Sequence, residues 1–398
     1  MDITIAPGLL HGSVEVIPSK SQAHRILICA AFADKPTDIH CKDTNRDIEA
    51  TVDCLKALGA DIRRTEYGYQ VQPVTAVPAE AVLNCCESGS TLRFMLPIVG
   101  ALGVDATFQM AGRLPSRPLS PLWEEMERMG CLLSRPTETT LRCQGKLHGG
   151  TYSISGGVSS QFITGLLFAA ALMEDSTKIQ ILGKLESAPY VEMTLQALTH
   201  FGCEIRDLTV NAGQSLRSPG QIAIEGDWSN GAFWLAAKAL GSPLEILGLR
   251  SDSTQGDREC AILIPKLQEF STIDVSNIPD AVPILSVVAA CNQGAIFENI
   301  QRLRLKESDR VASVISMIQS LGGSAEATDS TLRISGTGLR GGTMDSCNDH
   351  RIAMAAAIAS TVCCQPVTIL GASCVEKSYP KFWGEFIRLG GNYELYLR

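Results

Sequence analysis

Apolar and polar positions along this chain fall into two recurrent helical patterns. The first is an amphipathic stretch that ends in glycine and runs into a β-like segment. It reads CLKALGADI around Gly59, EMERMGCLL around Gly130, ALTHFGCEI around Gly202, MIQSLGGSA around Gly322 and FIRLGGNYE around Gly390. KLQEFSTIDV, near Phe270, is a sixth copy without the glycine. Glycine at that place suits a helix C-terminus, where the backbone must turn left-handed.

The second pattern is a set of apolar, alanine-rich helices that begin with small or polar residues. They are expected to start near His24, Ser90, Ser159, Ser229, Asp280 and Asp349, at intervals of 66, 69, 70, 51 and 69 residues. Helices apolar nearly all round belong inside a domain. Between the two helix types lie β-rich segments such as GYQVQPV, TLRCQG, TYSISG and TLRISGTG. The unit reads as strand, buried helix, strand, outer helix, strand, and six copies predict an α/β protein of two domains with three units each. A buried helix presents unpaired N–H groups and partial positive charge at its start, so converging helix starts would form an anion trap.

Composition narrows the classes. The 398 residues are 45% hydrophobic and 19% charged, which suits two or three globular domains rather than a disordered chain. A net charge of −8 argues against a nucleic-acid binder but leaves room for small anions that meet local positive charge. The 14 cysteines are scattered, no Cys-x-x-Cys occurs and the six histidines form no ligand-spaced pair, so no structural zinc site is expected. The N-terminal MDITIAPGLLHGS has no basic region followed by an apolar core, and no apolar run reaches the ~18 residues of a membrane span. A cytoplasmic protein with reduced thiols, bound to no membrane, is expected.

Basic residues then stand at the starts of the apolar helices. Lys20, Ser21 and Arg25 lie in PSKSQAHR, Arg93 in ESGSTLRF, and Arg117 in the following GRLPSRPL. Ser159, Ser160 and Gln161 open the third helix, Asp280 the fifth, and Asp349 with Arg351 the sixth. RLRLKESDR adds Lys306, Glu307, Asp309 and Arg310, and VEKSYPKF adds Lys377. Taken singly, each is an ordinary surface or capping residue; recurrence at equivalent places points to a multiply charged anionic ligand. GTGLRG, from Gly336 to Gly341, matches a dinucleotide-binding pattern but is not followed by a helical segment, so it is read as a turn. Neither a nucleotide P-loop nor a G-x-S-x-G elbow around Ser159-Ser160 is present.

PSKSQAHR, SSQF, SAPYVEMTL, IEGDWSNGAFWLAA, NIPDAVP, RLRLKESDR, NDHRIAMA and EKSYPKF, in that order from Pro18 to Phe382, resemble the motifs of the 5-enolpyruvylshikimate-3-phosphate synthase family. The resemblance implies a two-domain inside-out α/β barrel built from six repeated βαβαββ-type units. It implies one domain at residues 17–225, a second, discontinuous one at 1–16 and 226–398, and a ligand cleft between them. It implies transfer of enolpyruvyl from phosphoenolpyruvate to the 5-hydroxyl of shikimate 3-phosphate by a monomer, with no metal or organic cofactor.

Carried over by motif, Lys20, Ser21, Arg25, Ser159, Ser160, Gln161, Ser187 and Tyr190 resemble the shikimate 3-phosphate site, with Asp280 and Lys306. Lys20, Gly89, Arg117, Gln161, Arg310, Arg351 and Lys377 resemble the phosphoenolpyruvate site. Asp280 resembles the group that holds the 5-hydroxyl and acts as base, with Lys306 beside it. Glu307 resembles the acid that protonates the methylene carbon, and a raised pKa in the closed cleft is expected of it. Glu87-Ser88-Gly89-Ser90 departs from the Asn-Ala-Gly-Thr of many members and puts a carboxylate beside that site. The sister family that modifies UDP-N-acetylglucosamine uses Lys-Asn where this chain has Lys20-Ser21, and commonly a reactive Cys where this chain has Gly112. A non-catalytic phosphosugar-binding protein of this fold is the other alternative, and the set Asp280, Lys306 and Glu307 argues against it.

Overall fold

The helices of the computed structural model, which describes residues 1–396, alternate between two kinds along the chain. In order they are α1 Lys20–Ala31, α2 Arg46–Ala57, α3 Gly89–Leu102, α4 Leu122–Arg128, α5 Ser160–Ala170, α6 Ala188–His200, α7 Trp228–Ala239, α8 Cys260–Lys266, α9 Val282–Cys291, α10 Arg310–Ser320, α11 His350–Ala359 and α12 Phe382–Arg388. Odd-numbered helices are the apolar ones, and every residue of α11 is buried. Even-numbered helices bury one stripe. In α10 it is Arg310, Val311, Ser313, Val314, Met317 and Ile318, the spacing of a single helical face.

The glycines that end the amphipathic pattern, Gly59, Gly130, Gly202, Gly322 and Gly390, all have positive φ. Four of the five ends share one further bond, from the amide after the glycine back to the helix: Ala60 to Leu55, Cys203 to Leu198, Gly323 to Ile318 and Gly391 to Phe386. That recurrent closure satisfies carbonyls the helix leaves open.

Strands repeat as strictly as helices. Glu80–Asn84 runs parallel to Asp105–Gln109 across α3. After α4, Cys131–Thr137 and Thr140–Gly145 form a hairpin whose second strand joins Asp105–Gln109 antiparallel. Among the described residues five four-stranded sheets have this order, and the sixth has two strands, Gly12–Glu15 and Leu244–Leu247. That unit has no hairpin after its outer helix: α8 leads straight to Ser271–Asp274, the first strand of the next unit. The missing hairpin accounts for the one short interval in the sequence period.

The chain forms two compact units, Pro18–Ile224 and Met1–Ile17 with Glu225–Arg398. Strand exchange explains why the N-terminal segment belongs with the C-terminal half. Asp2–Ile5 sits between Val367–Leu370 and Tyr393–Tyr396, and Gly12–Glu15 supplies the first strand of the α7 repeat. Gln221–Ala223, last in its unit, pairs with Thr37–His40 as the first strand of the α1 repeat. GTGLRG lies outside any helix or strand. No helix among the described residues is long and apolar enough to cross a membrane.

Within Pro18–Ile224, α3 and α5 approach closely. Pro97 lies inside α3 and has no N–H to offer Arg93 O, one turn earlier. That carbonyl lies against Gly165 of α5, where any Cβ would overlap it. Gly165→Ala is expected to destabilise the protein by about 1–3 kcal/mol through overpacking, read as a lower urea midpoint. An unchanged midpoint would show that the helices can separate without cost.

Candidate active site

Five of the six inner helices are capped at their starts by an oxygen side chain. Ser19, Ser88, Ser159, Asp227 and Asp349 each accept a backbone N–H from the first turn, so the residues just after each cap are fixed. Three starts differ from expectation. The first helix begins at Lys20, four residues before His24. Asp227, not Ser229, caps α7. Asp280 lies two residues ahead of α9, which has no side-chain cap, and its carboxylate is used elsewhere.

In Pro18–Ile224, Lys20 opens α1 and donates to Asp47 Oδ2 at 2.9 Å. Arg25, one turn on, is buried. Its Nε donates to Thr194 Oγ1 at 2.9 Å, and its Nη atoms donate to Ser21 O at 2.6 Å and Tyr190 O at 2.8 Å. These acceptors are all neutral, and burial draws the guanidinium down to about 10. Ser160 is buried at the start of α5, behind the cap Ser159. Gln161 bridges two helices, accepting from Arg93 Nη1 at 2.8 Å and donating to Ser90 Oγ at 2.9 Å. Ser187, buried at the N-cap of α6, holds φ at 55° without a side-chain cap bond. Such left-handed backbone is uncommon outside glycine.

Gly89 is the first residue of α3. A Cβ there would lie 2.6 Å from Arg117 Nη1 and 3.0 Å from Arg93 Nη1. Two guanidiniums therefore converge over bare backbone at a helix N-terminus, an arrangement suited to phosphate or carboxylate. Glu87 lies two residues away with its carboxyl against Gly112, which has φ of 55°.

The other unit carries a denser network. Arg310, 1% exposed, is the first residue of α10. Its Nε donates to Asp349 Oδ2 at 2.9 Å, its Nη1 to Asp280 Oδ1 at 2.5 Å and its Nη2 to Glu307 Oε2 at 2.6 Å. Asp280 Oδ1 also lies 3.2 Å from Lys306 Nζ, and Asp280 Oδ2 accepts from Arg351 Nη2 at 3.2 Å. Burial alone would raise Asp280; Arg351, Lys306 and Arg310 override it and hold the carboxyl well below its ordinary range. Burial pushes Lys306 down to about 8 against the pull of Asp280. Asp349 caps α11 and accepts from Ser308 Oγ at 3.0 Å as well. Lys377 Nζ donates to Asn348 O at 2.9 Å, and so braces the left-handed turn Cys347–Asn348 ahead of α11.

The structure thus gathers Lys20, Ser21, Arg25 and Tyr190 on α1 and α6, and Gly89, Arg117 and Gln161 around the start of α3. It gathers Asp280, Lys306, Glu307, Arg310 and Arg351 in the second unit. The sequence singled out Asp349 and Arg93 at helix starts but gave them no role in either substrate site, and it did not single out Asp47. Position in the repeat was the available signal for the first two. Among the described residues no group of three or more His, Cys, Asp or Glu side chains is placed to hold a metal ion.

Comparison with known proteins bears on family and fold. The family profile of EPSP synthase (3-phosphoshikimate 1-carboxyvinyltransferase) matches residues 5–271 and 262–386. The 3-phosphoshikimate 1-carboxyvinyltransferase of Clostridium kluyveri is 37% identical over 415 residues, covering 98% of this chain and 97% of that one. That of Clostridium perfringens strain SM101 is 38% identical over 417 residues, covering 98% of each. A solved EPSP synthase from Acinetobacter baumannii superposes with a TM-score of 0.81 at 20% identity, covering 99% of this chain and 100% of that one, a likeness of fold.

Arg310→Met should cost about 3–5 kcal/mol of stability, because it strands the buried Asp349 carboxylate. Lys20→Met, which breaks a partly exposed pair, should cost less than about 1 kcal/mol. Urea unfolding of both variants checks the order; equal losses would show that the Arg310 network is not what holds these helix starts.

Proposed function

The chain belongs to the EPSP synthase (3-phosphoshikimate 1-carboxyvinyltransferase) family, and on that premise we propose that it moves the carboxyvinyl group of phosphoenolpyruvate onto the 5-hydroxyl of shikimate 3-phosphate and releases phosphate. The observation that carries this reading is the set of Lys306, Arg310 and Arg351 on the single carboxylate of Asp280, with Glu307 on the same Arg310. Binding an anion needs cations alone. A largely buried amine with lowered proton affinity, 3.2 Å from a carboxylate, is equipment for proton transfer.

The roles of individual residues are those that the family resemblance implies. Lys20, Ser21, Arg25, Ser159, Ser160, Gln161, Ser187 and Tyr190 hold shikimate 3-phosphate. Arg117 and Lys20, with Gly89 leaving the α3 start bare, hold phosphoenolpyruvate together with Gln161, Arg310, Arg351 and Lys377. Protonation of the methylene carbon makes the adjacent enol carbon electrophilic, the 5-hydroxyl adds, and a tetrahedral intermediate forms. Phosphate leaves as the methyl group gives its proton back. Glu307 is the group for that proton, and it can hold one once a substrate anion takes over the Arg310 Nη2–H.

Asp280 and Lys306 divide the other task. A carboxylate under three cations is a weak proton acceptor, so Asp280 orients the hydroxyl. Lys306, brought down to about 8, is the stronger base. Preset cations stabilise the charge that develops on the intermediate. A cytoplasmic, monomeric enzyme belongs to the same reading, and the 14 cysteines, all of them free thiols, suit a reducing compartment.

Phosphate release from phosphoenolpyruvate should appear with shikimate 3-phosphate and not with UDP-N-acetylglucosamine; the opposite pattern would overturn the acceptor. Neutral Lys306 grows as pH rises through about 8, so kcat/KM should rise between pH 7 and pH 9. Lys306→Arg should lose that rise and at least about a hundredfold in kcat. A pH profile unchanged by the substitution would return the proton to Asp280.

A further inference from the structure

His24 is a polar ring sealed inside an apolar helix. Every residue of α1 from Ala23 to Ala31 is buried, and His24 has 0% exposure. A buried polar group needs a partner, and that of His24 lies on another helix. Its Nδ1 is 2.7 Å from Thr51 Oγ1, on the buried stripe of α2. Thr51 Oγ1 is 2.8 Å from Thr91 Oγ1, in the first turn of α3. Thr91 Oγ1 donates to Ser88 Oγ at 2.7 Å, and Thr91 N donates to the same oxygen at 3.2 Å. Ser88 is the cap of α3, and Gly89 is the next residue. One line of hydrogen bonds thus runs from α1 across α2 to the start of α3, and all four side chains are buried.

Counting hydrogens sets the direction of the line. Thr91 has one hydroxyl hydrogen, and its acceptors are Ser88 Oγ and, at 3.4 Å, Asp47 O. With either, that hydrogen is spent, so Thr51 donates to Thr91. Thr51 then has no hydrogen left for His24, and Nδ1 must carry the proton and donate it. Nε2 is left bare; it is buried, with no hydrogen-bond partner among the described residues. A doubly protonated ring would put an N–H there with nothing to accept it. Burial, and after it the charges of Lys20 and Arg25, hold the ring well below its ordinary range. His24 is therefore a neutral ring in one tautomer.

A second line meets the first at Thr91. Asp47 binds Lys20 through its carboxylate and takes the longer Thr91 contact through its carbonyl. The His24 ring also meets Phe94 of α3 edge-on, with 6.3 Å between centroids. Both lines end at the helix start where Arg117 and Arg93 converge on Gly89. Arg25, next to His24 in the chain, is held separately by Thr194, Ser21 and Tyr190.

We propose that His24 is a positioning residue for phosphoenolpyruvate, acting on the start of α3 through Thr51, Thr91 and Ser88. The proposal rests on the reading of Gly89 and Arg117 as phosphoenolpyruvate ligands. With no exposed surface, His24 does not meet the substrate itself. It holds the Ser88 cap, and with the cap the bare backbone of Gly89, in place beneath the two guanidiniums. Cutting the line leaves a buried donor or acceptor unpaired, so the groups next to the break must shift to find partners.

The test measures KM for each substrate and kcat, by phosphate release, in wild type, His24→Leu, His24→Asn, Thr51→Val and the double variant His24→Leu with Thr51→Val. Leucine removes the donor, whereas asparagine presents an amide N–H where Nδ1 stood. His24→Leu and Thr51→Val should each raise KM for phosphoenolpyruvate about tenfold and leave KM for shikimate 3-phosphate within about twofold. His24→Asn should restore most of the loss. The double variant should lose no more than the worse single one, because both cut the same line. A merely structural role would lower the amount of folded enzyme, and so apparent kcat, with both KM values kept; that pattern would overturn the proposal. Equal rises in both KM values would overturn it too, as would additive losses in the double variant. Absence of wild-type turnover would sink the substrate reading and this proposal together.

The tautomer is read without substrate, by NMR of protein carrying isotope-labelled histidine. The ring signal missing from whichever His24 variant folds identifies His24. Its Nδ1 should be protonated and its Nε2 bare. A proton on Nε2 would reverse the line and overturn the proposal even if no variant were active.

Discussion

One guanidinium, that of Arg310, sets the arrangement on which the acid–base end of this protein depends. It binds Asp349 at the cap of α11, Asp280 ahead of α9 and Glu307 just before its own helix. A guanidinium is planar and presents its donors in fixed directions, so three carboxylates from three segments take their positions from one side chain. Charges buried as deeply as Arg310 and Asp349 persist only when paired, and removing Arg310 leaves Asp349 uncompensated. The starts of three helices, from two successive repeats, are thereby fixed relative to one another, and the electrostatics of Asp280 and Lys306 follow from that. With Arg310 and Arg351 already on Asp280, Lys306 is the third cation around a single negative charge; burial first, and then the nearby Arg310 and Arg302, lower its proton affinity against the pull of Asp280.

The two units share an architecture and differ in what their buried arginines meet. Arg25 lies in the inner helix α1 and Arg310 opens the outer helix α10. Arg25 donates to a threonine hydroxyl and backbone carbonyls, so its positive charge is solvated but not neutralised. Arg310 donates to carboxylates, and its charge is consumed inside the protein. The first arrangement suits retention of a multiply charged anion, because the ligand supplies the missing negative charge. The second suits movement of protons, because its groups are balanced against one another and shift when a substrate displaces one partner. Burial of cations with neutral acceptors costs stability that a hydrophobic substitute would not, which is the expected sign of a site kept for binding.

Much of this was legible in the sequence because it repeats. The glycine series marked the outer-helix ends, since only a left-handed residue can close them as Gly59 does, and the alanine-rich runs marked the inner helices. The short interval before Asp280 was also visible, but its cause, an omitted hairpin after α8, was not, since nothing in a spacing says which element is missing. Exchange of Gly12–Glu15 and Gln221–Ala223 into sheets far away in sequence left no periodic trace. Asp280 read as a helix opener because an acidic residue before an apolar run is a common cap. The sequence does not reveal that three cations outcompete the helix for that carboxylate. Asp349 and Arg93 stood at the right positions in the repeat, yet as caps and cations of ordinary type they carried no mark of their partners.

Choice of acceptor is written in smaller features. The sister family commonly has a reactive cysteine where this chain has Gly112. Gly112 adopts φ of 55°, and a Cβ there would run into the Glu87 carboxyl. A side chain at that position thus faces both backbone strain and a collision. Glu87, a departure from the Asn of many relatives, and Gly112 are therefore one feature: the carboxyl occupies the space that a side chain would need. The Ser21 backbone carbonyl is an anchor for Arg25, and Arg25 in turn secures α6 through Thr194 and Tyr190. Ser21 and Gly112 are the two positions where the chain differs from the sister family's pattern, and at Gly112 the difference is fixed by backbone conformation as well.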